Sequence, residues 1–175
     1  IQLYTLKYHY FTYHPVVKMN ANANQVVSYW FPSDGSADMD KWFMKSQSYD
    51  DEIREKFGPL LKEAEDGNHF HWLLNKAPFM AHIVLLDQMS RHVYRGTGDS
   101  FKNDPGMLIF TELGIDVHFD TMNSYEKMFA LLPYMHSELL MYQERGLERL
   151  ERVLLKHPED KFWKNMHMHT IGHLG

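Results

Sequence analysis

Cysteine is absent from the 175 residues. That excludes disulfides, a thiol nucleophile and thiolate metal sites together, and it fits a reducing compartment such as the cytoplasm. A long apolar run is also missing. The longest, Ala77 to Leu86, is interrupted by Pro78 and His82, and it falls short of the ~18 residues a bilayer span needs. Basic charge is scarce: 18 Lys and Arg stand against 23 Asp and Glu, a net charge of −5. Such a chain carries no electrostatic footprint for nucleic acid. No nucleophile elbow, phosphate loop, dinucleotide fingerprint or His-Glu-x-x-His zinc motif occurs. No membrane partner, nucleic-acid partner or cofactor is expected.

An apolar fraction of 44% and a charged fraction of 23% are ordinary for one globular domain, and the length suits a single core. Residues 1–24 read as an extension, with Met19 as the expected native start and Asn20 to Asn24 as a linker or helix lead-in. Residues 25–175 read as one domain. Gln25 to Phe31 predicts a short helix stopped by Pro32, and Asp38 caps a turn carrying Trp42 and Phe43. From Ser48 or Asp50, Ile53, Phe57, Leu60, Leu61 and Ala64 recur at helical spacing, with Gly58-Pro59 as an expected kink. A central helix spans Pro78 to Tyr94. Asp104-Pro105 opens another, which Gly114 is expected to end. A helix capped by Asn123 or Ser124 is expected to stop before Pro133. A strongly amphipathic helix then covers Met135 to Leu155, with Leu139, Leu140, Leu147, Leu150 and Leu154 inward and Arg149 on the charged side. A last helix begins near Pro158. The class is all-α, with seven or eight helices. Tyr4 to Thr12 alternates enough for a strand. The aromatic pairs Tyr29-Trp30-Phe31, Trp42-Phe43 and Phe162-Trp163 read as core.

The central helix changes character along its length. Phe79 to Leu86 is apolar all round, as in a buried helix. Beyond it, Asp87, Gln88, Arg91, Tyr94 and Arg95 share an arc of roughly 120°. His136 and Gln143 lie on the leucine side of their helix and are the expected partners of this arc. Two arginines and a glutamine can clamp an anion, and a histidine can serve as acid or base. Asp87 or Glu138 would then orient His136. The same residues equally form a satisfied buried network or a solvated surface. The spacings His69-x-His71 and His169/His173 suit metal ligation but need further ligands, and twelve histidines produce such spacings by accident, so no metal site is assigned.

Several blocks occur in order: Val26-Val27-Ser28-Tyr29-Trp30-Phe31, Asp51-Glu52-Ile53-Arg54-Glu55-Lys56-Phe57-Gly58-Pro59, Leu85-Leu86-Asp87-Gln88-Met89-Ser90-Arg91-His92-Val93-Tyr94-Arg95-Gly96-Thr97, and Leu132-Pro133-Tyr134-Met135-His136-Ser137-Glu138 with Gln143-Glu144-Arg145. From about Gln25 to Gly175 the chain resembles domain-of-unknown-function family 924, whose members are mostly bacterial. The resemblance implies a tetratricopeptide-like helical fold, although no 34-residue repeat pattern shows in this sequence. It implies no known reaction. Family members usually continue with an Arg- and His-rich run where this chain reads His173-Leu174-Gly175, so a truncated C-terminus is expected. The functional expectation is a binding module for a protein, a peptide or a small anionic ligand. The alternatives are an enzyme using His136 as acid or base with Arg91 and Arg95 as clamp, and a purely structural subunit.

Overall fold

The structure is a computed structural model and describes residues 21–173. The expected strand at Tyr4 to Thr12 and the expected start at Met19 lie outside these residues. Among the described residues all regular structure is helical. Helix α1 covers residues 21–30. It is followed by α2 (Met39–Trp42), α3 (Gln47–Glu65), a 3-10 turn at Phe70–Leu74, α4 (Lys76–Ile83), a π-helical segment (Val84–Met89) and α5 (Ser90–Val93). Then come α6 (Asp104–His118), α7 (Ser124–Met135), α8 (Leu140–Lys156) and α9 (Lys161–His173). Because α4, the π segment and α5 form one continuous rod, the described helices make eight rods. None is long and apolar enough to cross a membrane.

That rod is the hub. Its π segment packs against α3, α6 and α7 besides the two helices it joins. Phe79, Met80, Ile83, Val84, Leu85 and Met89 are wholly buried, and each such side chain stabilises the fold by roughly 1.5–3 kcal/mol. The sequence carries no mark of the π geometry, because Val84, Leu85, Leu86 and Met89 are apolar on all sides and show no period.

The other helices form for local reasons that can be named. Ser46 caps α3 by accepting from Tyr49 N at 3.2 Å. Tyr49, Ile53, Phe57, Leu61 and Ala64 then bury one stripe, and α3 runs on through Pro59. Asn123 and Glu126 form a reciprocal capping box at the start of α7. Residues 21–24, read as a lead-in, are already helical, and Ala23 is in the core. The aromatic core holds α1, α2 and α7 together: the Phe129 ring meets Trp42, Phe31 and Trp30 edge-on at 5.0, 5.5 and 5.7 Å. Phe43, read as core, is an exception and lies exposed.

Three expectations are corrected. Gly114 does not end α6. It lies inside the helix, where an added Cβ would sit 2.5 Å from Phe79 Cε2 and 2.7 Å from Leu73 Cδ2. Its role is to let two helices approach closely. Pro133 does not stop α7, which continues to Met135. A proline so near the C-terminus removes a single intrahelical bond, and Pro133 is buried. Helix α8 begins only at Leu140, and its buried face is Gly146, Arg149, Leu150 and Val153. Leu139 and Leu140 are exposed. Arg149 is inward because its guanidinium lies 5.1 Å over the Tyr134 ring and pairs with Asp116 at 3.2 Å.

Candidate functional site

Asp87 sits in the π segment with 0% exposure. A carboxylate in that position must be supplied with donors. Gln88 Nε2 donates to its Oδ2 at 2.5 Å. Arg91 donates to its Oδ1 at 3.1 Å, and His136 Nδ1 lies 2.8 Å from the same oxygen. Burial pushes the Asp87 carboxyl up. The hydrogen bond and electrostatics of His136, with Arg91 and Gln88, outweigh that and hold it below the usual carboxylate range. The same arginine nitrogen also donates to both oxygens of Asp104, at 3.1 and 3.2 Å. Burial leaves Asp104 raised despite Arg91.

Arg91 Nη2 is also 3.0 Å from His136 Nδ1. Both groups are donors converging on one carboxylate oxygen, so the neutral imidazole carries its proton on Nδ1 and leaves Nε2 as an acceptor. Nε2 makes no hydrogen bond within the described residues. The Nε–H of Arg91 is buried without an acceptor among them. An orphaned donor costs roughly 1–3 kcal/mol, and local rules tend to break in this way at functional sites.

His136 follows the last turn of α7, its own N–H donating to Leu132 O at 2.9 Å. Gln143 does not touch Asp87 or Arg91. It donates to Ser137 O at 2.7 Å, and Ser137 Oγ accepts from Leu139 N at 3.1 Å. Gln143 therefore braces the turn that presents His136. Glu138 is exposed on that turn and makes no hydrogen bond with His136. The imidazole, 31% exposed, opens into a cleft of about 740 Å3 between α6 and the α7–α8 turn. Phe101, Leu108, Ile109, Leu139 and Tyr142 supply most of the wall, with Asp104 and Glu138 as its carboxylates.

Arg95 belongs elsewhere. It binds both oxygens of Asp50, the second at 2.9 Å, while His92 Nδ1 lies 2.7 Å from Asp50 Oδ1. This is the same aspartate–histidine–arginine arrangement as at Asp87, but it is closed. His92 and Asp50 are both buried, and the His92 ring packs at 5.1 Å against Tyr49. Burial, reinforced by Arg95 and opposed by Asp50, pushes the His92 imidazole down. Asp50 ends below its usual range because Arg95 and His92 overcome its burial. Tyr94 joins a third group, donating to Glu65 at 3.1 Å under the Lys102 ammonium.

The structure thus brings Asp87, Gln88, Arg91 and His136 together and separates Arg95, Tyr94 and Gln143 from them, while Glu138 shares the cleft wall with His136 without bonding to it. The two arginines do not converge on one point. The sequence reading missed Asp104 and Asp50. Asp104 was explained by its place before Pro105, and nothing local marked Asp50 as a partner of residues 42 and 45 positions away. His69 is buried, stacked on Trp72 at 4.3 Å and bonded to Glu63 at 3.1 Å. Among the described residues no group of three His, Asp or Glu side chains is placed to hold a metal ion.

A solved structure of a protein of unknown function from Agrobacterium tumefaciens is similar to this chain, with a TM-score of 0.73 and 26% identity over 89% of this chain and 81% of that one. A search of curated proteins found no match. The model of the family described as bacterial protein of unknown function, DUF924, matches residues 26–174. With that match covering most of its length, the chain belongs to the DUF924 family.

Proposed function

We propose that the protein is a binding domain whose ligand occupies the cleft between α6 and the α7–α8 turn. One observation carries this: a histidine oriented by a buried carboxylate opens into a cleft of about 740 Å3 with largely apolar walls. Small-ligand sites typically enclose ~300–1,000 Å3, with a few convergent polar groups on an apolar lining. The closed group at Asp50 supplies the contrast, since its histidine reaches no cleft. Arg91 and Arg95 are each neutralised by carboxylates, and Asp104 and Glu138 face the cleft. That weighs against an anionic ligand. A small molecule or peptide side chain with an apolar body and a hydrogen-bond donor, such as a hydroxyl or ammonium, fits better, the donor meeting His136 Nε2. Leu139 is exposed at the cleft wall, so Leu139→Trp fills it without touching the core. In a fragment screen followed by NMR, aromatic alcohols and amines should shift the His136 ring resonances and lose affinity in Leu139→Trp. Fragments that bind both proteins equally and leave His136 unmoved would refute the proposal.

A second reading has its own support. A buried carboxylate that fixes the tautomer of a partly exposed imidazole is how a general base is oriented. On that reading His136→Gln abolishes turnover of a cleft ligand while retaining its binding. Equal turnover in both proteins would sink it.

A further inference from the structure

A separate concavity of about 650 Å3 lies where the ends of α6 and α8 meet the first turn of α7. Its lining includes Lys127, Arg149, Arg152 and Lys156 against only Asp116 and Asp120. This excess of cations stands out in a chain whose net charge is −5. Arg152 and Lys156 have an ordinary explanation, because they lie toward the C-terminus of α8, where a helix carries partial negative charge. Lys127 does not share it. It is the fourth residue of α7, close to the end of the helix that favours anions. No carboxylate among the described residues pairs with it. Its ammonium donates to Met122 O at 2.7 Å, which leaves further donor capacity. Burial pushes its pKa down by more than the nearby Asp120 and Glu126 carboxylates raise it.

We infer that this concavity is a second binding site, for a phosphorylated small molecule. Arg149 is already held in place by the Tyr134 ring and the Arg145 carbonyl, so its guanidinium is preorganised. The two carboxylates are weak competitors. Asp116 and Asp120 are well exposed, and their contacts to Arg149 and Lys156 are no shorter than 3.2 Å. The Lys156–Asp120 pair is exposed on both sides, contributes little and can yield to a phosphate, whose bonds to arginine and lysine are charge-assisted. Arg149 is mostly buried, pairs with Asp116 and lies 3.8 Å from Glu112, so it would keep those partners and add the phosphate to them. Phe119 and Val153 add an apolar patch beside the cations, so an organic phosphate gains contacts that inorganic phosphate cannot make. The site does not involve His136 and stands whether or not the cleft proposal holds.

The test is calorimetric titration of the whole protein with pyrophosphate and with phenyl phosphate at low salt. Saturable binding of both is expected, weakened by added salt. Lys127→Gln should lose about ten-fold or more in affinity. Arg152→Gln, at an exposed position, should also weaken binding and provides the reading if Lys127→Gln fails to fold. Leu139→Trp should bind pyrophosphate as the parent does. No binding at millimolar concentrations, or equal binding by the parent and both charge variants, would overturn the inference.

Discussion

His82 should make the protein acid-labile in a pH range where its carboxylates are still ionised. The imidazole is buried in the hub, stacked at 3.8 Å on Phe110 and edge-on to Trp72 at 6.3 Å. Its Nδ1 has no hydrogen-bond partner among the described residues. Burial, helped by His69 and His71, pushes its pKa from 6.5 down to about 3. The sign follows from linkage: the unfolded chain takes up a proton below 6.5, the folded one does not, and stability falls as pH falls through that window. At about pH 5 the unfolded imidazole is roughly thirty-fold more protonated than neutral, and RT ln of that ratio is about 2 kcal/mol. The loss continues until the pH reaches about 3, where the folded imidazole also titrates. His82→Phe keeps the aromatic stack and cannot titrate. Urea unfolding at about pH 7.5 and about pH 5 should show the parent losing ~2 kcal/mol more than the variant between the two. His71 and His92, also pushed down by burial, are present in both proteins and cancel in the comparison. Parallel losses in the two proteins would mean that His82 is solvated or partnered and that the reasoning fails.

Gly114→Ala should destabilise by about 1–3 kcal/mol through the clash with Phe79 and Leu73, although alanine is favoured over glycine by ~1 kcal/mol in a helix; a rise in melting temperature would contradict the close approach. Asp87→Asn should cost about 3 kcal/mol by leaving Arg91 and His136 short of charge. Because the Asp87 pKa is held below its ordinary 3.8, the gap from the parent should narrow as pH falls below about 4, as chemical denaturation across that range can check. Asp50→Asn should cost a similar amount yet leave ligand binding in the cleft unchanged, and a loss of binding there would show that the closed group is part of the site.

What could be read from the sequence was local. The Asp87–Arg91 spacing, the buried first half of the hub and the amphipathic face of α3 follow from helical period alone. His136 stood out because it interrupts an apolar pattern. Features that depend on a second helix could not be read in the same way. A glycine that ends a helix and one that admits a neighbour are identical in sequence, and only the Phe79 ring against Gly114 tells them apart. Arg149 lies among alternating charges, and only the Tyr134 ring explains why it turns inward. The expected arc of two arginines failed because the helix ends at Val93 and Arg95 lies in the turn beyond it. The arginines serve two different aspartates, one of them on α3.

The π segment has a consequence for how this site can change. A π turn holds one residue more than the α turn it replaces. Deleting one residue between Val84 and Met89 would restore regular bonding with little change in the length of the rod or in the facing of what lies beyond, because the α turn left behind covers nearly the same arc with one residue fewer. His92 and Arg95, beyond the turn, would keep their facing toward Asp50, whereas Asp87 lies inside the turn and would be re-aimed as the bonding changes. A scan of single substitutions through that turn would find mainly core packing, while a scan of single deletions would separate the two polar groups.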